Sequence, residues 1–276
     1  MAGYEQLISM ITYPFQYKRA SSIAEAVAML GEGGKALSGG HSLIPAMKLR
    51  LNAPDTLVDV GRIAEIKGIT VDGDELVIGA GATHGDIATS SIVKQHVPMF
   101  AEGAGHIGDP SVRNRGTIGG SLAHADPSAD WPAMVLAADA TIVVEGAAGS
   151  RSIKASEFFT GMFDTALNEG ELITQIRVPM QAGAKMTYQK FAQPASRYAT
   201  VGCAVVKSAD GTVRVAFTGV SETPFRDATA EGQLNSGQAV SQAASGVSIM
   251  SDHYASEDYR KHLANVYLKK ALAAVA

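Results

Sequence analysis

The stretch GTIGGSLAHADPSADWP, residues 116–132, joins a Gly-Gly pair to a run of small polar residues. A second Gly-Gly pair lies upstream in ALSGGHSLIPAMKLR, residues 36–50. Glycine lets a backbone approach a ligand closely, and successive N–H groups in such a turn can bind an anion. Hydroxyl donors stand beside both pairs, namely Ser38, Ser42, Thr117 and Ser121. Together the two turns predict a clamp that holds the pyrophosphate of a dinucleotide from two sides.

A Gly-Gly pair taken alone is equally compatible with a plain tight turn. The stretch GAGATHG, residues 79–85, comes close to the dinucleotide-binding pattern G-x-G-x-x-G, but His84 occupies the third glycine position. We interpret it as a strand-to-helix turn that binds no nucleotide. The chain contains no G-x-x-x-x-G-K-[ST] pattern, so a phosphate loop of that type is not expected.

Histidines and carboxylates near the glycine pairs are candidates for chemistry. His41 and His124 could act as bases, but no nucleophile stands at a recognisable spacing, so a structural or cofactor-contact role is favoured. Asp126 and Asp130 could form an acid/base pair, and a carboxylate can equally bind a ribose hydroxyl. We favour ribose binding by Asp130, interpret Trp131 as a core residue, and predict no catalytic and no metal-binding residues.

The composition of the 276-residue chain limits its partners. Charged residues make up 18% and the net charge is −4, whereas a nucleic-acid-binding protein is usually basic over a whole face. Cys203 is the single cysteine, which excludes an internal disulfide and an iron–sulfur cluster held by this chain alone. Because no secretory signal and no run of roughly 18 apolar residues is evident, we expect a cytoplasmic protein without a membrane span.

Hydrophobic periodicity predicts alternating helices and strands up to Pro179. In that region SVRNRGTIGG, residues 111–120, is predicted as a loop, a short strand and the second glycine turn. After Pro179 two β-rich runs are joined by SADG, residues 208–211, which is a hairpin signal. The remainder, from residue 224 onwards, is predicted to be mostly helical.

Four stretches together resemble the FAD-binding medium subunits of molybdenum hydroxylases, of the carbon-monoxide-dehydrogenase and xanthine-dehydrogenase type. SGGHSLIPAMKLRL (38–51) resembles the first flavin loop of that family, and RNRGTIGGSLAHADPSAD (113–130) resembles the second. FAQPASRYATVG (191–202) resembles the start of the C-terminal domain, and YRKHLANVYLKKAL (259–272) resembles its closing helix. The likeness spans nearly the whole chain.

The resemblance implies an α+β fold. A PCMH-type FAD-binding domain of two α/β subdomains would occupy residues 1–180. A C-terminal domain with a three-stranded antiparallel sheet and helices would occupy residues 181–276.

The resemblance also implies a set of cofactor-binding residues. From the first loop they are Leu37, Ser38, Gly39, Gly40, His41, Ser42 and Leu43, and from the second Thr117, Ile118, Gly119, Gly120 and Ser121. Single positions are Asp130 at the adenosine end, Ile107 and Ile173 at apolar contacts, Lys190 near the flavin and Tyr198 against the isoalloxazine ring. Arg197 departs from the family, which often has glycine or aspartate before that tyrosine.

SGGHS, residues 38–42, is also similar to a loop of related flavin oxidases whose histidine bonds covalently to FAD. The medium-subunit resemblance instead places the loop at the pyrophosphate, too far along the cofactor for His41 to reach the flavin methyl group. We therefore expect non-covalent FAD.

The function implied by the resemblance is electron transfer. A large subunit with the molybdenum cofactor would oxidise the substrate, and two [2Fe–2S] clusters of a small subunit would pass electrons to FAD here. The three subunits would form a doubled heterotrimer, and an external acceptor would take the electrons. Two alternatives remain open at this point: a stand-alone FAD-dependent oxidoreductase, and a non-catalytic module with a degenerate nucleotide site.

Overall fold

The computed structural model describes residues 11–276, and its first unit is a small parallel sheet. The strands are β1 (Gln16–Arg19), β2 (Lys35–Leu37) and β3 (Thr56–Asp59), in the order β1-β3-β2. Two helices join them, α1 (Ile23–Gly31) and α2 (Leu43–Lys48). Ser22 begins α1, since its hydroxyl accepts from the N–H of Glu25. The first glycine loop, residues 38–42, therefore leaves the carboxyl end of β2 and leads into α2.

The second unit is a five-stranded antiparallel sheet with helices packed on one face. Its strands are β4 (Ile69–Asp72), β5 (Glu75–Gly79), β6 (Thr141–Gly146), β7 (Gly149–Lys154) and, after the short pair β8 (Phe159–Gly161) and β9 (Asp164–Thr165), β10 (Leu172–Pro179). The strand order is β4-β5-β10-β6-β7. The helices are α3 (His84–Thr89), α4 (Ser91–His96), α5 (Pro98–His106), α6 (Pro110–Arg113), α7 (Ile118–His124), α8 (Trp131–Ala137) and α9 (Ala155–Phe158).

The third unit is an antiparallel sheet of four strands. These are β11 (Lys185–Ala192), β12 (Ala199–Lys207), β13 (Val213–Thr218) and β14 (Phe225–Arg226), and helices α10 (Ala228–Asn235) and α11 (Glu257–Ala274) follow. Three strands were expected, and the fourth is the two-residue β14. Both faces of β12 are buried: Ala204 and Val206 join the main core, whereas Val201, Cys203 and Val205 face the helical side.

Two segments differ from the sequence-based predictions. The predicted strand and glycine turn near residue 117 are wrong, because Gly119 and Gly120 lie in the first turn of α7. Thr117 caps that helix, and Ile118 and Leu122 are spaced four residues apart on its buried side. The prediction of a mostly helical end is wrong for residues 236–256, where serine and glycine recur and no helix forms. Trp131 is fully buried, which confirms its predicted place in the core.

Candidate cofactor site

A cavity of about 1070 Å³ lies where the two glycine-containing segments meet. This is slightly above the range of about 300–1,000 Å³ that is typical of ligand sites, as a large ligand requires. Most of the predicted site residues line it: Ser38, Gly39, Gly40, His41, Ser42, Leu43, Ile107, Thr117, Gly119, Gly120, Ser121, Asp130, Ile173 and Tyr198. The fold thus brings together residues that are up to 160 positions apart in the sequence.

The first glycine loop presents unpaired backbone donors. The N–H groups of residues 39–43 donate no hydrogen bond to any acceptor within residues 11–276. Gly40 has φ +74°, a left-handed conformation that glycine adopts without strain. His41 is exposed, and its Nδ1 lies 2.9 Å from the carbonyl oxygen of Gly39. Clustered free N–H groups of this kind form an anion-binding concavity.

The second segment has a different hydrogen-bond pattern. The N–H groups of Ile118 and Gly119 donate to Ala82 and Ala80, at 3.1 and 2.9 Å. Those of Gly120 and Ser121 donate to the side chain and carbonyl oxygen of Thr117. The expectation of free amides from both turns therefore holds only for the first loop, and the second segment lines the cavity with Thr117, Gly119, Gly120 and Ser121.

The two segments are in direct contact. The hydroxyl groups of Ser38 and Thr117 lie 3.0 Å apart. A Cβ on Gly39 would overlap the carbonyl oxygen of Arg115, and a Cβ on Gly119 would lie 2.6 Å from the Cβ of Ala80. Here the glycines allow close packing of backbone on backbone, so the shape of the cavity depends on them.

A buried ion pair stands at one wall of the cavity. Asp130 accepts a hydrogen bond from Lys190 at 2.9 Å and one from the Tyr188 hydroxyl at 2.5 Å. The Lys190 and Asp130 side chains are only 3% and 5% exposed. Burial raises the pKa of Asp130, and the Lys190 ammonium and the Tyr188 hydroxyl oppose that rise. Because both carboxylate oxygens already have protein partners, the arrangement favours a supporting role for Asp130.

Three predicted residues do not line the cavity. Leu37 lies at the end of β2, and Ile118 is fully buried in the main core. Lys190 lies behind Asp130, and its ammonium group also donates to the carbonyl oxygen of His106. Any effect of Lys190 on a ligand is therefore indirect, through Asp130 and the backbone at His106.

The segment between α7 and α8 is held by the third unit. The carbonyl oxygen of Pro127 accepts from the N–H of Gly219, and that of Ser128 accepts from the N–H of Ala199. The Thr218 hydroxyl lies within 2.7 Å of the carbonyl oxygens of both Pro127 and Ala129. The ends of β12 and β13 thus fix residues 127–129 beside the cavity.

Titratable side chains at the mouth of the cavity are perturbed by burial. Burial lowers the pKa of His124, and it raises the pKa of Asp126. It also raises the pKa of the Tyr198 phenol, which Asp126 raises further. Arg197, just before that tyrosine, has φ +61°, which explains why glycine or aspartate would suit this position better.

Sequence reasoning missed two residues. His84 lines the cavity although GAGATHG was interpreted as a turn without nucleotide. Tyr188 is fully buried and bonded to Asp130, and no pattern in the sequence around it indicated this.

Comparison with known proteins gives two matches to family models. Residues 13–181 match the FAD binding domain in molybdopterin dehydrogenase, and residues 186–275 match the CO dehydrogenase flavoprotein C-terminal domain. The chain belongs to the family of FAD-binding medium subunits of molybdenum hydroxylases. The resemblance inferred from the sequence, and FAD as the cofactor, are thereby confirmed.

Relatives of this medium subunit align over nearly their full length. It is 40% identical to the carbon monoxide dehydrogenase medium chain of Hydrogenophaga pseudoflava, covering 96% of this chain and 98% of that one. It is 39% identical to the glyceraldehyde dehydrogenase medium chain of Sulfolobus acidocaldarius, covering 96% and 100%. Among solved structures, quinoline 2-oxidoreductase from Pseudomonas putida 86 superposes with a TM-score of 0.89 at 30% identity, covering 96% and 98%.

The residues present fit FAD. The cavity is large, the free amides of residues 39–43 suit a pyrophosphate, and the glycine contacts leave no room for side chains between the two segments. None of the helices within residues 11–276 combines the length and the apolar character that crossing a bilayer requires.

Proposed function

We propose that this medium subunit relays electrons within a three-subunit molybdenum hydroxylase. It receives them from two [2Fe–2S] clusters of a small subunit, while a large subunit with the molybdenum cofactor oxidises the substrate. The assembly is a doubled heterotrimer in the cytoplasm. Bound FAD supplies the redox chemistry by which the electrons reach an external acceptor.

The observation that carries the proposal is a large cofactor cavity in a chain that has a single cysteine. Cys203 is the only cysteine of the sequence, and it is fully buried in the third unit. Burial raises the pKa of its thiol far above the ordinary value, so it stays protonated. Because an iron–sulfur cluster takes four ligands, the clusters belong to another chain.

The chain's own residues bind and orient the cofactor. The amides of residues 39–43 donate to the pyrophosphate without a net charge, and Ser121 adds a hydroxyl donor from within α7. Asp130, fixed by Lys190 and Tyr188, holds one wall in place. FAD is held non-covalently, since the first glycine loop with its free amides lies at the pyrophosphate, away from the flavin ring. We place the domain boundary between residues 180 and 181.

The test is to tag the chain in its native host and measure the molybdenum, iron and flavin that copurify. The large and small subunits should copurify in equal amounts with this one. In a Gly39→Ala complex the iron and molybdenum should stay while the flavin is lost, because the added Cβ overlaps the Arg115 carbonyl oxygen. Transfer of electrons to an acceptor dye should fail in that variant.

The matched control is Gly105→Ala, where a Cβ meets nothing within 4 Å. It should leave all three cofactors and the dye reduction unchanged. Recovery of an active, flavin-loaded chain without companions would instead support a stand-alone oxidoreductase.

A further inference from the structure

His84 is a buried histidine in the wall of the cavity that no role yet explains. It is the first residue of α3 and is 5% exposed. The indole Nε1–H of Trp131, itself fully buried, donates to His84 Nδ1 at 3.1 Å. The Nδ1 atom of the ring therefore has a protein partner, and the role of the residue depends on what the Nε2 atom contacts.

The tryptophan fixes the tautomer of this histidine. An indole nitrogen can only donate, so the Nδ1 that accepts from Trp131 carries no proton. Burial, together with electrostatic interactions with His41 and Arg113, lowers the pKa of His84 to about 4. The ring is therefore neutral near pH 7, and its single proton lies on Nε2.

The Nε2–H group has no acceptor within residues 11–276. Among the side-chain nitrogen and oxygen atoms described there, Arg260 Nε alone is both fully enclosed and without a partner. His84 Nε2 also has no hydrogen-bond partner, but it is not one of the fully enclosed atoms and is therefore partly accessible. The residue lines the cavity. An unsatisfied buried donor costs free energy, so such a group indicates a ligand acceptor.

The position of Nε2 indicates which part of a ligand it would meet. A Cβ on Gly116 would lie 2.7 Å from Nε2, so this atom is next to the start of the second glycine segment. Gly39 packs against the same residue, since its Cβ would lie 2.8 Å from the Gly116 Cα. The His84 donor and the first glycine loop therefore both lie against Gly116, in the wall of the same cavity.

We propose that the Nε2–H group of His84 donates a hydrogen bond to a pyrophosphate oxygen of bound FAD where the two segments meet. This rests on the FAD-binding role of the chain. Trp131 is then a positioning residue, because its N–H sets the tautomer that makes His84 a neutral donor. The neutral ring adds a hydrogen bond to the pyrophosphate without adding a positive charge to the site.

Two amide variants separate this role from a purely structural one. In His84→Asn the side-chain oxygen can accept from Trp131, but no donor reaches the Nε2 position. In His84→Gln the amide nitrogen reaches towards that position. A merely structural histidine would tolerate the asparagine variant at least as well as the glutamine variant.

The experiment is a titration of flavin-free full-length chain with FAD, followed by flavin fluorescence. His84→Asn should raise the dissociation constant about tenfold, as the loss of one hydrogen bond predicts, and His84→Gln should stay within about threefold of the wild type. Equal affinities for wild type and His84→Asn would overturn the inference. So would equal losses in both variants with unchanged urea midpoints.

A measurement on the wild type covers the case in which a variant does not fold. In chain labelled with ¹⁵N-histidine, the His84 signals should show the Nε2–H tautomer, and exchange of this proton with water should slow when FAD is added. A proton on Nδ1, or unchanged exchange, would overturn the inference. Failure of the wild-type chain to bind FAD would refute the cofactor role itself.

Discussion

Replacing Lys190 with methionine should destabilise the flavin-free chain by about 3–5 kcal/mol. The Lys190 and Asp130 side chains are 3% and 5% exposed and their charged atoms are 2.9 Å apart. Methionine fills the space of the lysine stem but leaves the Asp130 carboxylate buried with only the Tyr188 hydroxyl as partner. The cost is a large part of the roughly 5–15 kcal/mol that stabilises a folded domain.

A double-mutant cycle isolates the ion pair from general packing. Asp130→Asn alone leaves the Lys190 ammonium buried and unpaired, so it should cost a similar amount. With both changes no unpaired charge remains, and the asparagine oxygen can still accept from Tyr188. The double variant should be less destabilised than the sum of the single variants by about 2–3 kcal/mol.

Urea unfolding of the flavin-free proteins at pH 7, followed by circular dichroism, measures all four corners of the cycle. Leaving FAD out keeps ligand binding from adding to the apparent stability. Strict additivity of the two single variants would refute the argument that the buried pair is electrostatically coupled.

Three further outcomes are expected from single features of the structure. Gly119→Ala should lower the urea midpoint and destabilise the chain by about 1–3 kcal/mol, because its Cβ would lie 2.6 Å from the Cβ of Ala80. The control Gly105→Ala in α5 should be neutral or stabilising, and equal midpoints in the two variants would contradict this. His84 is protonated near its ordinary pKa of 6.5 in the unfolded chain but only near 4 in the folded chain, so the free energy of unfolding should fall by about 2 kcal/mol between pH 7 and pH 5. Urea unfolding should show a weaker pH dependence in His84→Asn. Acid precipitation should leave the flavin in the supernatant, and an intact mass raised by one FAD that disappears in His41→Ala would show a covalent bond instead.

Local signals predicted the elements that depend on neighbouring residues. The hydroxyl groups of Ser22 and Ser256 accept hydrogen bonds from N-terminal N–H groups of α1 and α11, as serine commonly does immediately before a helix. The hairpin at residues 208–211 joins β12 and β13 as its turn residues require. Such features are encoded within a few positions and are visible before any tertiary contact forms.

Features that depend on distant residues were not predictable in the same way. Gly119 and Gly120 suggested a turn. The apolar pair Ile118 and Leu122 is too short a pattern to predict a helix. The amides of this segment are occupied by carbonyl groups of residues 80 and 82, which no local pattern reveals. His84 was discounted for the same reason, since its meaning comes from Trp131, 47 positions away.

The hold of β12 and β13 on residues 127–129 has a consequence for the synthesis of the protein. When the ribosome has completed the two glycine segments, the partners of Pro127, Ser128 and Asp130 have not yet been translated, because they lie between residues 188 and 219. At about 5–20 residues per second, the nascent chain waits several seconds for them. Until then Asp130 has no lysine partner and one wall of the cavity is unsupported. We therefore expect insertion of the flavin to be a late event, which follows release of residues 188–219 from the ribosomal tunnel.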